Sequence, residues 1–180
     1  MQNFEKYPEA ENRWICDVTK ENIGDYIKTV GLITSADNIN PVIIKKVYIC
    51  KTCQRLHKIT ENDSLDEVLE KCIKCNGSMD PVDYGYYDDT QLLTLQDIFD
   101  SNRTEIYAST LGDDAYYGKY RVGDYVNIIA RVDTMKLKRR NRLILKIEEI
   151  RLKSMDEKIA KKALKSKRLT EAQIARSTKE

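Results

Sequence analysis

The sequence CKTC at residues 50–53, followed after eighteen residues by CIKC at residues 72–75, decides how the rest of this chain is interpreted. The two segments are C-x₂-C knuckles, and together they supply the thiols of Cys50, Cys53, Cys72 and Cys75. Such a pair is typical of a zinc ribbon, because each short turn directs two sulfurs toward one metal ion at about 2.3 Å. We therefore predict one structural Zn²⁺ per chain, rather than two disulfides or four unconnected buried thiols.

Four thiolates fill the tetrahedral coordination of zinc and leave no position for water or substrate, so the predicted ion holds the fold and does not catalyse. His57 is the only histidine. With four cysteines available, we predict that His57 is a solvated side chain and not a ligand. The fifth cysteine, Cys16, is predicted to be a small buried apolar residue rather than a nucleophile, since no second histidine exists to act as its base. Ser64 and Glu67 form a capping box that predicts a helix over residues 65–71.

Composition describes a soluble globular protein of 180 residues, with 41% apolar and 33% charged side chains. No apolar run approaches the roughly 20 residues that span a bilayer, and the N-terminus lacks a secretion signal, so no membrane partner is expected. We expect an intracellular location: the cytoplasm, associated with the nucleoid, if the source is archaeal, or the nucleus if it is eukaryotic. A reducing compartment also favours zinc over disulfides.

The net charge of +2 is unevenly distributed along the chain. Residues 134–180 carry 16 basic and 6 acidic side chains, a net charge of +10, whereas residues 1–133 carry 15 against 23, a net charge of −8. An acidic body with a basic end indicates a polyanionic partner, although a lysine-rich tail can equally be a solvated helix.

Short β-branched and aromatic stretches separated by turn signals predict six strands, over residues 23–34, 42–49, 92–98, 106–109, 125–132 and 143–152. No helix long enough for a βαβ crossover lies between them, which favours a mainly β chain and a small closed or partly open barrel. We assign residues 1–22 to a loose N-terminal lead-in and 23–152 to the barrel domain, with the ribbon inserted at about 48–80. Residues 153–180 are predicted to be a weakly anchored, basic helical tail or linker, with capping boxes at Ser154 and Thr170.

The basic stretch between the last two predicted strands is most simply a β-hairpin. Its tip carries five cations, which are Lys136, Lys138, Arg139, Arg140 and Arg142. A solvated surface turn is the alternative, but five clustered cations at a hairpin tip on a barrel favour contacts with nucleic-acid phosphates.

Enzyme motifs do not fit this sequence. Five residues rather than four separate Gly112 from Gly118, and Tyr120 occupies the position where a P-loop needs Ser or Thr. With one histidine and no G-x-S-x-G motif, a nucleophilic triad cannot be assembled. We therefore predict a protein without catalytic activity.

Taken in order, these features resemble the N-terminal domain of the minichromosome maintenance (MCM) replicative helicases. The resemblance covers roughly residues 22–152. The matching segments are Ile23-Gly24, residues 30–34, Tyr48 with the two knuckles, Leu95-Gln96-Asp97, residues 122–126, and the basic hairpin before residues 143–150. The resemblance implies an oligonucleotide-binding (OB) barrel with an inserted C₄ zinc ribbon, whose hairpin projects toward DNA in the channel of a ring.

The chain also departs from the family pattern. A helical subdomain usually precedes the barrel in the family, whereas only about 22 residues do so here, and no ATPase follows. The loop at residues 98–104, which resembles the communication loop of the family, is shortened, and Ala130 stands where the family commonly has Gly. The chain is thus either a stand-alone paralogue or a piece of a larger helicase.

The resulting hypothesis is a non-enzymatic module of DNA replication that binds single-stranded DNA, or double-stranded DNA, through the hairpin and barrel, with tyrosines available for stacking. One alternative is an assembly module that forms a homo-oligomeric ring or docks to replication proteins. A second is an RNA-binding zinc-ribbon OB protein.

Overall fold

The structure is a computed structural model that describes residues 7–60, 69–82, 86–115, 119–137 and 140–164. The chain forms two compact units, the barrel unit (Met1–Ile39 with Thr90–Glu180) and the ribbon unit (Asn40–Asp89). Its strands are β1 (Glu11–Asn12), β2 (Tyr26–Ala36), β3 (Asn40–Cys50), β4 (Leu56–Thr60), β5 (Met79–Pro81), β6 (Tyr86–Gln96), β7 (Glu105–Leu111), β8 (Tyr125–Leu137) and β9 (Arg140–Leu152). The α-helix of the described residues is α1 (Glu157–Leu164), and 3-10 helices span Ile15–Asp17, Lys20–Asn22 and Gly112–Ala115.

Five strands of the barrel unit pair in a closed ring. β2 pairs with β8, β8 with β9, β7 with β6, and β6 with β2, all antiparallel, while β7 and β9 pair in parallel. A small five-stranded barrel of this kind is the architecture of OB folds. The predicted mainly β barrel is therefore confirmed.

Alternating apolar side chains fill the barrel. On β8, Val126, Ile128 and Ala130 face inward in turn and are fully buried, and they meet Leu93 of β6 and Leu145 of β9 in one core. The intervening β8 residues face outward, as the two-residue period of a strand requires.

Gly31 lies where β2 changes its partner from β8 to β6. A Cβ atom at this position would lie 3.0 Å from Ile15 Cδ1 and 3.2 Å from Leu95 Cβ. Glycine at position 31 therefore lets these neighbouring side chains approach the strand closely.

Residues 7–22 are not the loose lead-in that the sequence predicts. Ile15 is only 1% exposed and belongs to the barrel core. Glu11 and Asn12 form β1, which pairs in parallel with β2, and the Tyr7 hydroxyl donates to Glu148 Oε2 at 3.0 Å. The prediction failed because the burial of one isoleucine in a polar segment depends on contacts with distant strands.

The described part of the C-terminal tail is helical, as predicted, but it is anchored. Asp156 Oδ1 accepts the N–H of Ile159 at 2.7 Å, so the N-cap is Asp156 and not the predicted Ser154. The helix packs on the outer face of the barrel in a cluster formed by Leu32, Tyr125, Met155 and Ala163. The second predicted helix, from Thr170, lies outside the described residues.

In the ribbon unit, β3 pairs antiparallel with both β4 and β5. The sequence predicts β3 but neither short partner. Most of the predicted helix over 65–71 lies outside the described residues, and its last residue, Lys71, instead forms a β-bridge with Ser78. A small core contains Tyr48, Cys50, Ile59, Cys72 and Met79.

Candidate metal centre and basic hairpin

The two knuckles fold in the same way. The N–H of Gln54 donates to the Cys50 carbonyl, and the N–H of Asn76 donates to the Cys72 carbonyl, each at 2.9 Å. Gln54 and Asn76 both adopt left-handed backbone conformations, with φ of 57° and 58°. Each knuckle is therefore a tight turn that ends one residue after its second cysteine, and this directs both of its sulfurs to the same side.

The four sulfurs of Cys50, Cys53, Cys72 and Cys75 lie within 4.8 Å of one another. The Cys50–Cys75 and Cys53–Cys72 distances are 3.4 and 3.7 Å, far longer than the roughly 2.05 Å of a disulfide bond. A tetrahedron with zinc–sulfur bonds of about 2.3 Å has sulfur–sulfur edges of about 3.8 Å. The thiol cluster therefore has the size that a zinc ion needs.

Hydrogen bonds change the pKa values of these thiols. The backbone N–H of Cys53 lowers the pKa of Cys50 to about 6, and the N–H of Cys75 lowers the pKa of Cys72. The N–H of Gly77 acts in the same direction on Cys75, but the neighbouring sulfurs of Cys50 and Cys53, with burial, outweigh it and raise its pKa to about 12. Adjacent thiolates repel one another, so one sulfur keeps its proton until a divalent cation displaces it.

His57 lies beside this cluster and is not the solvated side chain that the sequence predicts. It is half-buried, and its Nε2 atom is 3.3 Å from Cys72 Sγ. A ring nitrogen at this distance can donate to a ligand sulfur, which orients the ligand and stabilises its negative charge. Sequence spacing misses this contact because it depends on the pairing of His57 with Tyr48 across β3 and β4.

Cys16 belongs to the barrel unit and is exposed, so the prediction that it is buried is wrong. Although the residue as a whole is exposed, partial desolvation of its sulfur, with the nearby carboxylates of Asp97 and Asp17, raises the pKa of the Cys16 thiol to about 11. The thiol is therefore poorly ionised at neutral pH, which agrees with the prediction that it is no nucleophile.

The basic hairpin is formed by β8 and β9, whose ladder runs to the pair Leu137–Arg140. Lys138 and Arg139, two of the predicted contact residues, lie outside the described residues. Lys136, Arg140 and Arg142 are all exposed, and within the described ranges no carboxylate forms an ion pair with any of them.

Strand geometry divides these three cations between two faces. Lys136 is paired with Asn141, while Arg142 is paired with Met135. Residues two apart on a strand share a face, so Arg140 and Arg142 lie together and Lys136 lies on the opposite face. Among the described residues, the face of the hairpin with the two arginines therefore carries more positive charge than the face with Lys136.

A sequence model of the MCM OB domain matches residues 14–136, more than half of the chain. The chain belongs to the MCM OB domain family. The OB domain of MCM proteins is a non-catalytic domain. No curated protein sequence matches this chain.

Among solved structures, this MCM OB domain is similar to the crystal structure of the N-terminal domain of an archaeal MCM. The TM-score is 0.62 and the sequence identity is 17%, and the match covers 78% of this chain and 61% of that chain. The chain therefore spans about three fifths of the length of that structure. At this identity, the likeness supports the fold.

This MCM OB domain has eleven tyrosines, which the structure separates by exposure. Tyr86 and Tyr87 at the start of β6 are 54% and 62% exposed, and Tyr107 on β7 is 37% exposed. Four others, which are Tyr7, Tyr48, Tyr120 and Tyr125, are buried.

None of the helices in the described ranges is long and apolar enough to cross a membrane.

Proposed function

We propose that this chain is a single-stranded DNA-binding module of DNA replication that holds the phosphate backbone with the hairpin between β8 and β9. The observation that carries the proposal is the position of this hairpin on the barrel. It joins the fourth and fifth strands of the closed ring, and in OB folds this connection is one of the two loops that flank the oligonucleotide-binding face.

The arginine pair is suited to phosphate contacts. Arg140 and Arg142 are exposed on one face of the hairpin, and a guanidinium can donate two parallel hydrogen bonds to a phosphate. Exposed Tyr107 lies on β7, the third strand of the ring, where an OB fold offers aromatic rings to unstacked bases. Contacts between these arginines and phosphates would position a DNA strand but would not select its sequence.

We assign the four cysteines to one structural Zn²⁺. Their four sulfurs lie within 4.8 Å of one another and would supply all four ligands of a tetrahedral site, so the metal would stabilise the ribbon unit and would not activate a substrate. The module would work on nucleic acid in the nucleoid of an archaeal cytoplasm or in a eukaryotic nucleus.

The test is the salt dependence of binding to a fluorescent oligothymidylate. Each neutralised phosphate contributes about −0.7 to the slope of log affinity against log salt on single strands. Arg140→Ala with Arg142→Ala should therefore flatten the slope by about 1.4 and weaken binding of all sequences alike. Lys138→Ala and Arg139→Ala, which remove two more cations of the predicted hairpin sequence, should flatten the slope further.

The matched control removes two cations from α1, with Lys158→Ala and Lys161→Ala. This variant loses the same net charge at exposed helix positions where alanine is well tolerated. Its salt slope should equal that of the wild type. An equal loss in both variants would show that binding follows net charge only, and an unchanged slope in the arginine variant would refute the hairpin contact.

We also propose that the module assembles as a homo-oligomeric ring and docks to other replication proteins. Light scattering after size-exclusion chromatography, with and without DNA, tests this assembly. If the protein forms a ring but does not bind DNA, its function is assembly and not DNA binding.

Competition between DNA and RNA of equal sequence tests which nucleic acid is the partner. A preference for RNA would overturn the assignment to DNA replication.

A further inference from the structure

A second basic site lies in the barrel unit, away from the hairpin. It is a pocket of about 310 Å³ whose lining includes Arg13, Trp14, Lys28, Thr29, Asn127 and Lys153. Ligand pockets of proteins begin at about 300 Å³, so this one is large enough for a single small ligand. Asn127 and the end of β8 at Leu137 are ten residues apart, which corresponds to about 33 Å along a strand. The pocket and the hairpin tip are therefore separate sites.

Sheet pairing assembles this pocket from distant parts of the sequence. β1 runs beside β2, and the N–H of Arg13 continues that ladder by donating to the Lys28 carbonyl at 3.0 Å. Asn127 of β8 is paired with Val30 of β2. Lys153 follows β9, where its N–H donates to the Tyr125 carbonyl at 2.8 Å. Three chain segments thus bring three cations to one concavity.

The charge of the pocket is positive. Arg13, Lys28 and Lys153 line it, and none of the described residues that line it is acidic. The ion pair of Arg13 in the described structure is with Glu11, at 3.0 Å. Glu11 is 72% exposed, so this contact is screened by water and binds the arginine weakly. A concave surface with three cations attracts an anionic ligand.

One buried polar atom on a lining side chain, Nε of Arg13, has no hydrogen-bond partner in the described part of the chain. Buried donors are nearly always satisfied in native proteins, by protein groups, by water or by a ligand, so this atom is available to an acceptor from outside the chain. Arg Nε–H is one of the donors with which guanidinium groups hold phosphate oxygens.

Trp14 adds an aromatic surface at the same pocket. Its side chain is 49% exposed, and its ring meets Phe99 with a centroid separation of 5.4 Å and an interplanar angle of 58°. Exposed aromatic rings beside a cationic groove are the surfaces on which nucleobases stack. The pocket thus combines a phosphate-binding group with a stacking group.

We infer that this pocket binds one nucleotide, with its phosphate at Arg13, Lys28 and Lys153 and its base against Trp14. The nucleotide is either a free mononucleotide or one residue of a strand, since the chemistry recognised is the same. This inference does not rest on the proposed hairpin contact, because it uses none of the hairpin residues.

Trp14 is the only tryptophan, so its fluorescence reports on this pocket alone. Deoxyadenosine 5′-monophosphate should quench the emission in a saturable titration. Deoxyadenosine has the base without the phosphate, and inorganic phosphate has no base. Each should bind at least about tenfold more weakly than the mononucleotide. A DNA strand without a terminal phosphate then separates the two sources of the ligand. If the strand displaces the mononucleotide, the pocket binds an internal nucleotide of DNA. If the strand does not displace it, the pocket binds a free mononucleotide.

Lys28→Ala with Lys153→Ala should weaken mononucleotide binding by at least about tenfold, because both changes remove charge from the phosphate position. The α1 control with Lys158→Ala and Lys161→Ala loses the same charge and should bind normally. Trp14→Leu, followed by calorimetry, should remove the preference for the mononucleotide over inorganic phosphate.

The hairpin variant with Arg140→Ala and Arg142→Ala should keep full mononucleotide affinity, which separates failure of this inference from failure of the proposed function. The inference is overturned if the mononucleotide does not quench Trp14 at millimolar concentration. It is equally overturned if the pocket and α1 variants lose affinity to the same extent while circular dichroism shows both to be folded.

Discussion

Replacing Gly77 by alanine provides a sharp test of the metal centre. The Cβ of an alanine there would lie 2.4 Å from Thr52 Oγ1, 2.8 Å from Thr52 Cβ and 3.2 Å from Cys50 Sγ. Favourable contacts between carbon atoms begin at about 3.5 Å. The Thr52 hydroxyl can rotate away, but its Cβ is attached to the backbone of the first knuckle. That knuckle must therefore move by about 0.7 Å to reach normal contact, and Cys50 must move with it.

The expected cost follows from overpacking, which destabilises by about 1–3 kcal/mol. Metal binding and folding of a zinc ribbon are coupled, so this cost lowers zinc affinity. At 1.4 kcal/mol per factor of ten, Gly77→Ala should bind Zn²⁺ about 5- to 150-fold more weakly than the wild type. Competition with a chromophoric zinc chelator measures the ratio directly.

Two further variants identify the cause. Thr52→Gly removes the two closest atoms, so combining it with Gly77→Ala should recover most of the affinity, measured against Thr52→Gly alone. Gly24→Ala is the control: Gly24 has a positive φ of 97° but no atom within 4 Å of its added Cβ, so it should lower stability without changing zinc affinity. Wild-type affinity in Gly77→Ala, or no recovery in the double variant, would refute the steric argument.

Three further predictions concern stability. The wild type should contain one zinc per chain by elemental analysis, and Cys72→Ser should lose the metal and lower the melting temperature of the ribbon unit. Hydrogen bonds, foremost from the Thr104 hydroxyl, hold the pKa of Asp100 in the folded protein below its usual 3.8. The ionised Asp100 carboxylate therefore stabilises the folded protein above pH 3.8. This contribution to the free energy of unfolding is lost as the pH falls through the pKa of the folded state. Asp100→Ala should therefore flatten this acid dependence in denaturant titrations, whereas an identical pH profile would contradict it. Tyr120→Phe removes a buried hydroxyl that donates to a backbone carbonyl at 2.9 Å and should cost about 1–2 kcal/mol in chemical unfolding, while Tyr107→Phe on the surface should cost nothing measurable.

The clustering of the four cysteines and most of the barrel could be predicted from the sequence, because their signals are local. A C-x₂-C turn places two sulfurs together whatever surrounds it, so the four cysteines are recognisable without a fold. The β-branched runs of β2, β8 and β9 likewise alternate with the period of a strand, and the basic residues between β8 and β9 indicate their hairpin. The family resemblance rested on the order of these local features.

Contacts between distant segments could not be predicted in this way. Ile15 stands in a polar segment, and only the closed barrel provides the cavity that buries it. His57 acquires its contact with Cys72 through the pairing of β3 with β4. Ser154 and Asp156 are both favourable N-cap residues by type, so the sequence does not choose between them, and the structure places the cap at Asp156. The pocket beside Trp14 collects cations from positions 13, 28 and 153, which no spacing rule connects. Local patterns determine how a segment can fold, but the partners of its side chains depend on which strands the closed barrel brings together.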